Sequence, residues 1–77
     1  MNIIIQKYIE YAIEHEKYIL SGDFKNANKA HKKLTQIIEN IRVENVEVKK
    51  EFYDLLNYNN DSVKIWTAVT LIATFKD

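Results

Sequence analysis

Two histidines, one out-of-place carboxylate and a row of tyrosines are the residues of this chain with chemistry to offer. Tyr8, Tyr11, His15 and Tyr18 recur at intervals of three and four, so on a helix they share one flank. Tyrosines so arranged suit protein recognition: each ring gives contact area at little entropic cost, and its hydroxyl bonds at the rim. The same pattern also describes the polar edge of a core, with hydroxyls reaching the surface. Glu16 sits beside His15 on what reads as an apolar face. A carboxylate there could be held for proton transfer. The commoner arrangement is a hydrogen bond from the next helix, here from Asn28 or His31, because a buried unpaired carboxylate is costly.

The remaining templates for chemistry are missing. There is no Gly-rich phosphate loop, no His-Glu-x-x-His, no Asp-rich calcium loop and no nucleophile elbow. The only serines, Ser21 and Ser62, stand at helix boundaries, where capping explains them. Without cysteine there is neither a disulfide nor a thiolate zinc site. His15 and His31 fall on different helices, with no second carboxylate at ligand spacing beyond Glu16. The chain is therefore expected to be no enzyme and to hold no cofactor or metal.

These residues must be positioned by helices. The sequence has no proline and a single glycine, too few unusual turn residues for a sheet-rich domain. Ser21-Gly22-Asp23 is the clearest break: Gly22 can close one helix in the left-handed conformation and Asp23 can cap the next. A first helix over about 2–20 and a second over about 24–41 then lie antiparallel across a very short joint. The second has a clean stripe of Ala27, Ala30, Leu34, Ile37, Ile38 and Ile41. The first is broader, with Ile5, Ile9, Ala12, Ile13, Ile19 and Leu20 as its core face. The phase breaks near Arg42-Val43-Glu44. Asn45 is a candidate cap for a third helix, whose inward stripe is Val48, Phe52, Leu55 and Leu56. The turn Tyr58-Asn59-Asn60-Asp61 opens a fourth helix, capped by Asp61 or Asn60.

That fourth helix is the most informative segment. It is apolar nearly all the way round: Val63, Trp66, Thr70 and Ala73 take one side, Ile65, Val69 and Ile72 a second, Leu71 and Phe75 a third. Two sides can face the rest of a four-helix domain and one is left over, to be covered by a copy of the chain or by a partner. A domain of 77 residues buries only about 60% of its unfolded surface, so covering that face would also add stability.

Charge argues the same way. Eleven basic residues balance eleven acidic ones, so no overall field draws in nucleic acid. The exception is local: Lys25, Lys29, Lys32 and Lys33 lie on the outer face of the second helix and could follow a phosphate backbone. Only Phe24 lies near for base stacking, and a solvated helix face is the ordinary meaning of such a run. No apolar stretch is long enough to span a bilayer. Gln6, Lys7 and Glu10 interrupt the N-terminal apolar run before it forms a signal sequence. A cytoplasmic location is the expectation.

From Leu55-Leu56 through the Asn/Asp-rich turn to Val63-Lys64-Ile65-Trp66-Thr67-Ala68 and Leu71-Ile72, the chain resembles a HEAT-type repeat. Paired leucines end one helix there, and a valine with a basic residue opens the next. From Tyr8 to Ile72 it is also similar to a family of short bacterial proteins of unknown function. Its Ser-Gly-Asp joint, Asn28-Lys29-Ala30-His31 and Val63-Lys64-Ile65-Trp66-x-Ala68 carry that likeness. The resemblance implies two stacked antiparallel helical hairpins, about 2–41 and 45–75, in one domain over 1–77. It implies no enzyme activity; small helical-repeat proteins of this kind often bind other proteins, and some act as immunity partners of toxins. The expected function is protein binding or homo-oligomerisation. The contact residues would be Tyr8, Tyr11, His15, Tyr18, Ile65, Val69, Leu71, Ile72 and Phe75, with the lysine face as a rival polyanion site.

Overall fold

The computed structural model describes residues 2–44 and 46–73. The protein is all-α, with α1 over Ile3–Leu20, α2 over Phe24–Arg42, α3 over Val46–Asp54 and α4 over Asp61–Ala73. A single 3-10 turn, Leu55–Asn57, prolongs α3. The described residues contain no strand.

α1, α2 and α4 each begin where a short polar side chain takes over an orphan backbone donor. Asn2 Oδ1 accepts from the Ile4 N–H at 2.8 Å and starts α1. Asp23 accepts from the Asn26 N–H at 3.2 Å and starts α2. At α4 the capping side chain is Asn60, whose Oδ1 accepts from the Val63 N–H at 3.2 Å. The expected cap at Asn45 lies outside the described residues. Between α1 and α2 the Gly22 N–H donates to the Ile19 carbonyl and the Asp23 N–H to the Tyr18 carbonyl, with Gly22 at φ +77°. This paired return of the chain onto the last turn of α1 requires a left-handed residue, and only glycine adopts that at no steric cost.

The two helices of this hairpin make the most extensive contact in the molecule. They run antiparallel, as the pairing of His15 with His31 and of Tyr11 with Lys33 requires. The buried residues of α2 are the six its spacing predicts, Ala27, Ala30, Leu34, Ile37, Ile38 and Ile41. The two alanines face α1 at the joint end, where small side chains permit close approach. Val48, Phe52, Leu55 and Val63 complete the core from α3, the 3-10 turn and α4. The Asn2 N–H donates to the Glu51 carboxylate at 3.3 Å, which ties the start of α1 to α3.

α1 departs from expectation. Its buried residues are Ile5, Tyr8, Ile9 and Ala12, all in its first ten positions. Ile13, Ile19 and Leu20 are exposed, and among the described residues none of α1 beyond Ala12 is fully buried. Glu16 lies in the same half of α1 and is itself exposed, so it needs no partner from α2. In the second half, Leu56 also points outward, since the tightening into a 3-10 turn shifts the phase after Leu55.

Candidate interaction surface

The seat of α4 is a polar one. Tyr8 is wholly buried, with its ring edge-on to Phe52 at 5.0 Å and its hydroxyl 3.2 Å from Thr67 Oγ1. Burial pushes the Tyr8 phenol above its ordinary value, and the hydroxyls of Thr67 and Thr70 partly offset that. Tyr8 is therefore a core residue that fixes α4 against α1, and its assignment to a contact flank is corrected. The other members of that flank, Tyr11, His15 and Tyr18, are half-buried and retain accessible edges. Lys33 Nζ lies 5.5 Å from the centre of the Tyr11 ring, a cation–π distance.

Around this seat α4 is turned against its own hydropathy. Ser62, Val63, Thr67 and Thr70 are buried. Ile65, Val69 and Ile72, spaced four and three apart, are 63%, 55% and 72% exposed. Trp66 and Leu71 lie between the two faces and are partly buried against the core. The larger aliphatics thus look outward while three hydroxyl-bearing side chains look inward. Phe75 lies outside the described residues.

Trp66 joins α4 to the hairpin. Its indole meets His15 at 5.3 Å with the planes at 89° and His31 at 5.7 Å with the planes at 56°. His15 and His31 are 6.1 Å apart. Burial first, and the charge of His31 second, hold the His15 imidazole below its ordinary pKa. This aromatic triad brings Trp66 of α4 against His15 of the tyrosine flank and His31 of α2. The signal for it was in the sequence, since Trp66 and His31 are both bulky and lie on helices flanking α1. Nothing in the spacing, however, ties one to the other.

The lysines of α2, Lys25, Lys29, Lys32 and Lys33, are all exposed. Among the described residues the one ion pair is Arg42 with Glu39 at 3.5 Å, so no carboxylate neutralises this face. Elsewhere, an open cavity of about 310 Å³ lies beneath the 3-10 turn, between Ile5, Glu51, Asp54, Leu55, Asn57 and Tyr58. Among the described residues, no group of three or more metal-ligating side chains is arranged to hold an ion. Nor is any helix among them long and apolar enough to cross a membrane. Comparison of the chain with protein-family models, with curated proteins and with solved structures finds no match.

Proposed function

We propose that the protein is a non-catalytic binding module whose contact surface is the outer face of α4, and that a second copy of the chain is its simplest occupant. One observation carries this reading. A helix that buries Thr67 and Thr70 while exposing Ile65, Val69 and Ile72 has its better apolar face directed at solvent. An inner face chosen for stability alone would use the aliphatics, so the outward set calls for a second surface to cover it. Tyr11, His15 and Tyr18 would form the amphipathic rim of the same contact.

The energetics set its strength. Covering an aliphatic that is still more than half exposed gives about 1–2 kcal/mol. Six such side chains in a two-fold pair then give roughly 6–12 kcal/mol, against an association cost of about 4–15 kcal/mol. Leu71 and the tyrosine rim add to the favourable side. Only the favourable end of these ranges reaches the roughly 8 kcal/mol of a micromolar dimer, so self-association is expected from micromolar concentration upward. Light scattering across that range should show a dimer for the wild type and a monomer for Val69→Glu, with unchanged circular dichroism. A wild type that stays monomeric throughout would defeat the homodimer. A toxin-neutralising or regulatory partner is the heteromeric version of the reading, and it goes with the proposed kinship to HEAT-like bacterial proteins.

The exposed, unneutralised lysine face of α2 supports a second reading, polyanion binding. Retention on a polyanion column should then fall steeply with salt and vanish when Lys29, Lys32 and Lys33 are replaced by alanine. No retention at low salt ends it.

A further inference from the structure

His15, His31 and Trp66 are supplied one each by α1, α2 and α4, and all three rings touch. We propose that this triad is an acid-sensitive latch. With both imidazoles neutral it clamps α4 to the α1–α2 hairpin, and protonation of the pair loosens α4. The proposal does not depend on what the outer face of α4 binds.

The geometry makes the argument. Two imidazolium rings 6.1 Å apart repel each other, and each also rests against the indole, at 5.3 Å from His15 and 5.7 Å from the exposed His31. The surrounding groups do not relieve it. Beside His31 on α2 stand Lys32 and Lys33, which add charge of the same sign. Beside His15 on α1 stand Glu14 and Glu16, and among the described residues neither forms an ion pair with an imidazole. Tyr11 and Tyr18 lie one turn away on α1, and Lys33 is already placed over Tyr11. The charged residues of α4, Asp61 and Lys64, are exposed and form no ion pair with either ring.

The sign of the effect follows from His15. Its folded-state pKa lies below the ordinary value, so the folded form binds its proton less readily than the unfolded chain. The stabilisation is complete above the unfolded value of about 6.5 and is lost as pH falls through the lower folded value.

Trp66 is the only tryptophan, so its emission reports on the triad alone. The test titrates the full chain from neutral to acid pH, following Trp66 fluorescence and the imidazole proton resonances together. Amide exchange of α4, corrected for intrinsic rates, is compared at the two ends. The latch requires a His15 midpoint below 6.5 and an α4 protection that drops about tenfold in acid while the middle of α2 stays protected. His31→Gln should raise the His15 midpoint, and His15→Gln should abolish the acid-induced loss of protection. A His15 midpoint at or above 6.5 would mean that the indole attracts the cation, and it overturns the proposal. So does an undiminished loss of protection in His15→Gln. If that variant does not fold, the wild-type midpoint and the exchange data decide the matter on their own.

Discussion

Removing either hydroxyl of the buried Tyr8–Thr67 contact should destabilise the protein, and removing both should cost less than the sum. Tyr8 and Thr67 are both wholly buried, and their oxygens are 3.2 Å apart. In Thr67→Val the phenol keeps only the neighbouring Thr70 hydroxyl, and a buried group stripped of a partner costs about 1–3 kcal/mol. Tyr8→Phe should fall nearer about 1 kcal/mol, because a helical threonine can turn its hydroxyl to a carbonyl one turn back. The double variant leaves neither group stranded, so the coupling should come to about 0.5–1.5 kcal/mol. For a domain of this size each kcal/mol moves Tm by roughly 4–8 °C. Total stability is of the order of 4–11 kcal/mol, so each single variant should still fold. Urea unfolding followed by circular dichroism, at constant m-value, gives the four free energies. Single losses that add to the double loss within about 0.3 kcal/mol would show that the two hydroxyls do not act together. The account of how α4 is seated would then be wrong.

Gly22→Ala should cost about 1–2 kcal/mol in the same assay. The whole of it would be backbone strain at φ +77°, because nothing lies within 4 Å of the added methyl. Asn60→Ala should remove the α4 cap at a cost of about 1 kcal/mol and raise amide exchange in the first turn of that helix. Phe52→Ala should cost about 3–5 kcal/mol, a large share of the stability available, since the ring is almost wholly buried edge-on to Tyr8. Partial unfolding at room temperature, seen by loss of near-UV signal, is the expected result. Glu16→Gln should leave Tm unchanged; a clear drop would place that carboxylate in a contact its exposure excludes.

The sequence disclosed the parts of the fold that depend on neighbouring residues. The Ser21-Gly22-Asp23 joint and the six-residue stripe of α2 were both readable, because a positive φ and a 3.6-residue period leave local marks. The cap at Asp23 was readable from its place after that joint, whereas the α4 cap was narrowed only to Asp61 or Asn60, and the structure selects Asn60. What was not legible depends on which side a neighbour covers. Ile13, Ile19 and Leu20 continue the apolar period of α1, yet Ala12 is its last fully buried residue. Periodicity records where a helix is greasy, not how far along it another helix reaches. Tyr8 differs from Tyr11 and Tyr18 in the same way: one stripe, but only Tyr8 sits opposite Phe52 and Thr67. On α4 the sequence announced one apolar side too many. Hydropathy could not say that the inward side would be the one with the threonines.

An oily strip on a protein's surface is commonly read as an aggregation hazard. The one on α4 is of a safer kind. Through Val69 its backbone amides and carbonyls belong to the helix's own ladder, and a helical face does not present the row of unpaired groups that templates an added strand. A neighbour can meet it through side chains alone. Paired about a two-fold axis, two such strips cover each other completely and leave no third site open. Aliphatic surface carried this way is self-limiting, whereas the same residues along a bare sheet edge would invite open-ended growth.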